Sequence, residues 1–447
     1  MSFLVQKERK GNRAVSPDLV GILVFVGLLL LLGMGYPIAF AMGSIVVAGI
    51  LCLAEPHLLF QLAQISMQLS TNFLFLVIPL FILMSEFILI SGIAGDAFDA
   101  ARRWLNWLPG GLGVSSIFAC SAFAAVCGSS PVTAATVGMV AIPGMTERGY
   151  QRKFAAGIVA SAGTIGIMIP PSICLIIYGV MTNMSIGKLF IAGVVPGILL
   201  TLVLSFNVII RAKLNPSIAP LLEETVTWEK RLSALKKIGP ILVLSFFVLG
   251  SIYAGIATPT EAAAVGAMGA FVIMLIKERF GLKKLRPALE RSAGLTSAIM
   301  MLLIGGTCMA FFMNYTGIPQ KLVDFTLGLG LGRWWIMLVI NIVLILLGCF
   351  LDPTGILVLM VPLVFPIITS LGFDPIWFGV ILTLNVEIGM ITPPVGLNLY
   401  VLNAIDRTLG VTEIIAGTIP FLISLLICLA LIMLFPEIVL WLPNLME

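Results

Sequence analysis

Residues 119–143 read ACSAFAAVCGSSPVTAATVGMVAIP, an apolar stretch of small side chains that breaks at Gly128-Ser129-Ser130-Pro131. Each of its two arms has about 12 residues and is too short to cross a hydrocarbon core of ~30 Å. We therefore predict a helical hairpin that enters the membrane and leaves on the same side. Irregular backbone at that depth is tolerated only inside protein or at a water-filled cavity, so the polar tip marks a candidate binding site.

The composition of the whole chain indicates a polytopic membrane protein. Of the 447 residues, 60% are hydrophobic and only 10% are charged, and the mean hydropathy is +1.14. Soluble domains carry roughly 25% charged residues. The apolar runs are continuous and lack the alternation of barrel strands, so they predict helices. The net charge of +4 comes from loop Lys and Arg residues and bears on orientation, not on nucleic acid binding.

Several functional classes are excluded by what the sequence lacks. The single histidine, His57, cannot supply a zinc site or a His-based catalytic triad. The seven cysteines lie in apolar segments with no CxxC spacing, where a thiol usually serves packing. Walker A and HExxH patterns are absent, so we expect no enzyme and no cofactor of its own. Polar residues 1–16, followed by a long apolar run, predict no cleavable signal peptide.

The chain repeats itself at a nearly constant offset, which predicts two structurally related halves. Four matches occur in order: GIMIPP at 166–171 with GMITPP at 389–394, IAGVVP at 191–196 with IAGTIP at 415–420, Pro143 with Pro366, and Ser130-Pro131 with Asp352-Pro353. Two consecutive prolines remove two backbone donors and must break a helix. Each half therefore contains one hairpin and one broken helix, and the second hairpin has its tip at 351–355.

These features predict an order of segments along the chain. The segments are a polar tail at 1–18, a first repeat at 19–211 with a hairpin at about 112–145, a linker with an amphipathic arm at 212–237, a second repeat at 238–436 with a hairpin at about 334–370, and a C-terminal tail at 437–447. The basic stretch 277–291 is predicted as a loop. The tryptophans predicted to anchor the protein at the membrane interfaces are Trp104, Trp107, Trp334, Trp335 and Trp377.

The distribution of Lys and Arg predicts the orientation. With the N-terminus outside, 18 of the 25 basic residues lie inside, and the exceptions are Lys7, Arg9, Lys10, Arg13, Lys188, Lys321 and Arg333. The two halves then have opposite orientations. An inverted repeat with two broken helices is typical of a secondary transporter whose site lies near the bilayer midplane.

The breaks supply the candidate binding residues. The N-termini of half-helices suit an anion, whereas unwound carbonyls and hydroxyls suit Na⁺. No Lys or Arg lies in either hairpin or either broken helix, so backbone N–H groups and hydroxyls would hold a carboxylate. The candidate substrate residues are Ser129, Ser130, Ser172, Asp352, Thr354 and Asn398. The candidate Na⁺ ligands are Ser129, Ser130, Thr133, Gly166, Ile169, Asp352, Gly355, Gly389 and Thr392.

Purely structural roles compete with these assignments. Serine and threonine hydroxyls beside a break can simply satisfy local backbone groups. Asp352 can cap the helix that follows the tip, and Glu387 can face the scaffold or a water-filled crevice. Glu86 and Glu261 lie in spans, where an ionised carboxylate costs ~2.5–3.5 kcal/mol, and can contact scaffold or partner helices.

Four segments resemble the large membrane subunit of tripartite ATP-independent periplasmic (TRAP) transporters, and the resemblance covers essentially the whole chain. They are AAVCGSSPVTAAT at 124–136, IGIMIPPS at 165–172, and the pair GCFLDPTG and EIGMITPPVGLN at 348–355 and 387–398. The resemblance implies an all-α, inverted-repeat, elevator-type fold with two re-entrant hairpins and two broken helices. It also implies two partners, a small four-helix membrane subunit and a periplasmic solute-binding protein.

The function that the resemblance implies is Na⁺-coupled uptake of an organic acid anion, such as a dicarboxylate, keto acid or sugar acid. The protein would be a multi-pass component of the bacterial inner membrane, with Na⁺ as its coupling ion. The first alternative is a stand-alone Na⁺/anion symporter of the same fold superfamily that needs no binding protein. A non-transporting membrane scaffold is the second, and it gives no reason for the repeated breaks.

Overall fold

The computed structural model describes residues 16–221, 226–277 and 282–446, which form helices and no strands. Eight of the described helical segments are long and apolar enough to cross a membrane. The chain is thus an all-helical polytopic membrane protein, as predicted. In chain order the α-helices are α1 (Pro17–Gly33), α2 (Ile38–Cys52), α3 (His57–Thr71), α4 (Val77–Ile90), α5 (Ile93–Leu105), α6 (Gly111–Cys127), α7 (Ser130–Thr146), α8 (Arg152–Gly163), α9 (Ile165–Met168), α10 (Ile173–Thr182), α11 (Ile186–Leu214), α12 (Trp228–Tyr253), α13 (Pro259–Lys277), α14 (Leu282–Thr316), α15 (Ile318–Gly328), α16 (Arg333–Gly348), α17 (Pro353–Ser370), α18 (Pro375–Met390), α19 (Leu397–Ile405), α20 (Val411–Leu434) and α21 (Glu437–Asn444).

Both hairpins are present as pairs of packed helices. Helices α6 and α7 have 17 residues each and meet at Gly128, while α16 and α17 have 16 and 18 residues and meet at Leu351 and Asp352. The arms are longer than the 12 residues predicted, because the helices continue beyond the apolar stretch. At 1.5 Å per residue an arm of 17 residues reaches about 26 Å, which is less than a hydrocarbon core of about 30 Å. By length and composition α17, with 18 residues, is nevertheless one of the eight segments that could cross a membrane.

Both broken helices are also present. The first is divided among α8, α9 and α10 and contains a cis peptide bond between Pro170 and Pro171. The second is divided between α18 and α19 and contains a cis bond between Pro393 and Pro394. The two breaks differ in burial, because Pro170 and Pro171 are buried whereas Pro393 and Pro394 are exposed.

The helices pack as two groups. In the first group α4 lies along α13 and α14, and α14 also packs on α2. The second group contains both hairpins and both broken helices, with α8 packed along α20 and α16 along α18. Helices α4 and α14 of the first group contact the hairpin helices α6 and α17 of the second. The two hairpins therefore face a wall formed by α4 and α14.

Some predicted loops and tails are helical. The loop prediction for 277–291 is wrong from residue 282 onward, where α14 begins. This segment is rich in good helix formers, and Arg286 forms an i,i+4 ion pair of 2.8 Å with Glu290. Helix α3, helix α15 and, within the predicted C-terminal tail, helix α21 were not predicted. Residues 1–15 of the predicted N-terminal tail and 222–225 of the linker lie outside the described residues.

The prediction for Trp377 is wrong. Its side chain is 2% exposed, and its indole N–H donates to the Ile432 carbonyl over 3.0 Å. The ring stacks on Phe373 and meets the edge of Trp334. Because the indole N–H of Trp377 already has a hydrogen-bond acceptor inside the protein, this side chain does not need the polar groups of the membrane interface.

Candidate functional site

A cavity of about 370 Å³ lies between the two helix groups. Both hairpin tips line it, the first through Gly128 and Ser129 and the second through Asp352 and Thr354. Its opposite wall consists of one face of α4 and one face of α14. The structure therefore brings the two tips, more than 220 residues apart in sequence, to the lining of one cavity.

The first tip is pressed against the first helix break. Gly128 ends α6 with a φ of +65°, a left-handed conformation that favours glycine. A Cβ atom there would lie 2.5 Å from the Pro171 carbonyl oxygen. On the wall side, the Ser85 hydroxyl of α4 donates to the Cys127 carbonyl over 2.8 Å and also lies 3.0 Å from the Val126 carbonyl. The tip thus lies between the backbone of the first break and the Ser85 hydroxyl of α4.

Three of the predicted Na⁺ ligands lie together beside this tip. The Thr133 hydroxyl donates to the Ser129 carbonyl over 2.8 Å. A Cβ atom at Gly166 would lie 2.7 Å from the Thr133 hydroxyl and 2.8 Å from the Ser129 carbonyl oxygen. Ile169 follows in extended backbone at the end of α9. The glycine therefore lets the backbone of the broken helix reach the oxygen atoms of the tip.

Two other predicted residues of the first half point elsewhere. Ser130 is fully buried outside the cavity lining, and its hydroxyl accepts a hydrogen bond of 2.8 Å from the Asn398 amide. Ser172 is also fully buried, and its hydroxyl accepts from the Leu175 N–H over 3.4 Å as the N-cap of α10. Ser172 thus has the local structural role that was the alternative to substrate binding.

At the second tip Asp352 has two faces. One carboxylate oxygen accepts a hydrogen bond of 3.1 Å from the Gly355 N–H and caps α17, while the residue also lines the cavity with Thr354. A Cβ atom at Gly355 would lie 2.9 Å from the other Asp352 oxygen. Asp352 therefore caps α17, as the structural alternative to ion binding predicted, and it also lines the cavity.

The second break folds against the residues that precede the second tip. A Cβ atom at Gly389 would lie 2.4 Å from the Gly348 Cα, so the two glycines let α16 and α18 touch. The Gly396 N–H donates to the Cys349 carbonyl over 3.2 Å. The Thr392 hydroxyl donates to the Ile388 carbonyl in its own helix over 2.5 Å.

Four helix N-termini converge on the cavity. The starts of α7, α10, α17 and α19 all contribute lining residues. Side chains cap α10 and α17, but neither Ser129 nor Gly396 forms a side-chain cap for α7 or α19. The positive dipole end of a helix that lacks a side-chain cap is the kind of group that suits an anion.

Sequence reasoning left the wall residues open or missed them. Glu86 lines the cavity with 5% exposure, and one of its carboxylate oxygens pairs with the Arg291 guanidinium over 2.8 Å. Glu86 thus contacts α14, which agrees with the prediction that it could contact a scaffold helix. Ser85 was not selected, although a Ser-Glu pair in an apolar span was a usable signal. Glu261 lies outside the site, since its carboxylate accepts from the Thr258 N–H and hydroxyl in a capping box.

A second cavity of about 500 Å³ continues along α14. Helix α14 lines the first cavity with residues 295–302 and the second with Leu303, Thr307, Ala310 and Asn314. Uncharged amides of Gln68, Asn72 and Asn183 face it as well. The second cavity lies closer to the C-terminal end of α14 than the first. We call this second cavity the vestibule.

Comparison with known proteins places the chain in a family. Residues 25–438 match the family model described as "Tripartite ATP-independent periplasmic transporter, DctM component". The C4-dicarboxylate TRAP transporter large permease protein DctM of Pseudomonas aeruginosa is 40% identical over 394 residues, covering 88% of this chain and 91% of that protein. The isethionate TRAP transporter permease protein DctMQ of Oleidesulfovibrio alaskensis is 34% identical over 383 residues, covering 84% of this chain and 59% of that protein.

A solved structure shows a similar fold. The Alcanivorax borkumensis YdaH transporter has a TM-score of 0.58 at 14% identity, covering 95% of this chain and 99% of that one. This likeness concerns the fold alone. The family model spans residues 25–438, which include both tips and both breaks, and the Pseudomonas aeruginosa relative covers 88% of this chain. The chain therefore belongs to the DctM component family of tripartite ATP-independent periplasmic transporters, as a large permease subunit.

Proposed function

We propose that this permease catalyses Na⁺-coupled uptake of a C4-dicarboxylate or a similar organic acid anion across the bacterial inner membrane. The observation that carries the proposal is the convergence of the uncapped N-termini of α7 and α19 on a cavity of about 370 Å³. That volume lies at the small end of ligand pockets. Among the described residues, no Lys or Arg side chain lines this cavity. The positive ends of the helix dipoles would therefore supply the positive charge that a bound carboxylate requires.

Na⁺ supplies the missing positive charge in this proposal. Asp352 brings a negative charge into the same cavity, which would repel an anionic substrate. Na⁺ bound by Asp352, and by the Ser129 and Thr133 group beside Gly166, removes that repulsion. Two Na⁺ per divalent anion carry no net charge and draw on the Na⁺ gradient alone. Each further Na⁺ moves one net charge inward, which adds ~2.3 kcal/mol per 100 mV of membrane potential.

The movement that we propose is an elevator. Both hairpins and both broken helices belong to one packed group, and α4 and α14 belong to the other. The binding elements therefore slide as a body past a fixed wall, with re-entrant hairpins closing each side in turn. With the predicted orientation, the vestibule along α14 opens toward the periplasm.

Two partners complete the proposed system. A small membrane subunit is supported by the isethionate permease, because this chain covers 59% of that longer protein and its printed name joins two components, DctMQ. A periplasmic solute-binding protein is implied by the family description. The rival proposal, a stand-alone symporter, differs in needing neither partner.

Uptake by reconstituted protein tests this function. Proteoliposomes with the chain, a small membrane subunit and a periplasmic solute-binding protein should accumulate a labelled C4-dicarboxylate only with an inward Na⁺ gradient. Uptake that follows a proton gradient in the absence of Na⁺ would refute the coupling ion. Uptake that persists without the binding protein would favour the stand-alone symporter, and failure with every organic acid would refute the substrate class.

A further inference from the structure

A closed polar cluster lies behind the first tip, outside the cavity lining. It consists of Ser130 in α7, Glu387 in α18 and Asn398 in α19, all with 0% exposure. The Asn398 amide donates to the Ser130 hydroxyl over 2.8 Å, and the Ser130 hydroxyl also faces the Glu387 carboxyl group. The cluster thus joins the first hairpin to both parts of the second broken helix.

The oxygen atoms of this cluster are unsatisfied. The Ser130 hydroxyl lies close to the Glu387 carboxyl group, but neither carboxylate oxygen of Glu387 accepts a hydrogen bond of regular geometry from the described residues. The Asn398 nitrogen donates to Ser130 and, over 3.4 Å, to the Ala160 carbonyl, which leaves the Asn398 side-chain oxygen without a partner in the same part of the chain. Buried carboxylates are normally paired with a cation or bound to a metal, because an isolated buried charge is very costly.

The charge of the cluster selects the kind of ligand. In its ionised form Glu387 supplies a single negative charge, and Ser130 and Asn398 add neutral oxygen atoms. No group of three or more His, Cys, Asp or Glu side chains suited to a metal ion occurs within the described residues. A divalent cation in this cluster would meet only the one carboxylate of Glu387, which would leave one positive charge unbalanced. A hard monovalent cation balances one carboxylate and accepts oxygen ligands.

We infer that Glu387, Ser130 and Asn398 bind one Na⁺ at a site separate from the substrate cavity. The inference rests on the proposed Na⁺ coupling and adds a carboxylate ligand that lies behind the tip. Because its ligands come from α7, α18 and α19, the bound ion ties the first tip to the second broken helix. Ser130 then belongs to this enclosed site rather than to the surface that meets the substrate.

Direct ion binding tests the inference without transport. The full chain in lipid nanodiscs is titrated with ²²Na⁺ at constant pH and ionic strength, with choline replacing Na⁺. Glu387→Gln keeps the size of the side chain and removes its charge, so it should lower the saturating amount of bound Na⁺ by one ion per chain. Asn398→Ala removes one oxygen ligand and should weaken one binding step at least tenfold. Glu437→Gln, an exposed position at the start of α21, should match the wild type.

The outcomes separate this inference from the proposed function. A wild type that binds no Na⁺ would refute the coupling ion and this site together. A wild type that binds Na⁺, with unchanged stoichiometry and affinity in Glu387→Gln and Asn398→Ala, would overturn only this site. A protonated-carboxyl infrared band that persists in saturating Na⁺ and disappears in Glu387→Gln would also overturn it, since the group would then hold a proton. Should Glu387→Gln fail to fold, the affinity of Asn398→Ala decides.

Discussion

Gly157 in α8 and Gly417 in α20 cross with no side chain between them. A Cβ atom at Gly157 would lie 2.1 Å from the Gly417 carbonyl oxygen, and one at Gly417 would lie 1.8 Å from the Lys153 carbonyl oxygen. Small residues at a crossing let membrane helices approach until their backbones touch. Since α8 belongs to the first half of the chain and α20 to the second, this crossing fastens the two halves together.

The first prediction concerns that crossing. Gly157→Ala should destabilise the protein by about 1–3 kcal/mol, because the new methyl group must displace backbone. The measurement is the apparent melting temperature in detergent, read by fluorescence-detected size exclusion. Gly43→Ala in α2 is the matched control, since a Cβ atom there meets nothing within 4 Å. Equal melting temperatures for the two variants would contradict the close crossing.

The second prediction compares two glycines with left-handed backbone, of which only one touches another segment of the chain. Gly128 and Gly372 have φ values of +65° and +73°, so alanine at either costs roughly 1–2 kcal/mol of left-handed strain. Only at Gly128 would the methyl group also meet the Pro171 carbonyl, at 2.5 Å, whereas Gly372 has nothing within 4 Å. We expect Gly128→Ala to abolish uptake and Gly372→Ala to retain it, measured per folded protein in proteoliposomes. Similar uptake by both variants would remove the contact between tip and break from the mechanism.

The two roles of Asp352 can be separated by substitution. Asparagine keeps the cap on α17 but removes the charge, whereas alanine removes both, at a cost of about 1 kcal/mol for the cap. Asp352→Asn should therefore keep the melting temperature and raise the Na⁺ concentration for half-maximal uptake at least tenfold. Asp374→Asn is the control, because Asp374 caps α18 by accepting from the Ile376 N–H over 2.8 Å and lies outside the cavity lining. An unchanged Na⁺ dependence in Asp352→Asn would make Asp352 a cap and nothing more.

The ion pair in the cavity wall should matter more than a similar pair on the surface. Arg291→Gln leaves Glu86, which is 5% exposed, without its partner. Breaking a fully buried pair costs roughly 3–5 kcal/mol, but the Arg291 side chain is half exposed, so we expect about 1 kcal/mol. Arg286→Gln breaks the exposed pair with Glu290 and should cost less than about 0.5 kcal/mol. Adding Glu86→Gln to Arg291→Gln should restore part of the melting temperature, and no recovery would contradict direct pairing.

Chemical labelling tests the orientation and the vestibule. Asn314 lines the vestibule near one end of α14, and Arg286 lies exposed near the other end. In a Cys52→Ser background, which removes the exposed native thiol, a membrane-impermeant thiol reagent added outside right-side-out vesicles should label Asn314→Cys and spare Arg286→Cys. Inverted vesicles should reverse the result. Labelling of both variants from one side would contradict a span between these positions, and the opposite sidedness would contradict the predicted orientation.

Sequence reasoning predicted the breaks because each has a local cause. Pro170-Pro171 and Pro393-Pro394 cannot continue a helix, and the two tips combine such residues with polar side chains. Helices α3 and α15 were missed because an amphipathic helix alternates polar and apolar residues and reads like a loop on hydropathy. The contacts of Ser130 were beyond sequence reasoning, since its hydrogen-bond partner Asn398 lies 268 positions later.

The long-range hydrogen bonds impose an order on biogenesis. Asn398 reaches back to Ser130, and the Asn207 amide donates to the Pro420 carbonyl over 3.0 Å. The first hairpin therefore leaves the ribosome and enters the bilayer long before its polar groups can find their partners. A first half expressed alone should stay bound by insertion factors or be degraded, and supplying the second half as a separate polypeptide should rescue it.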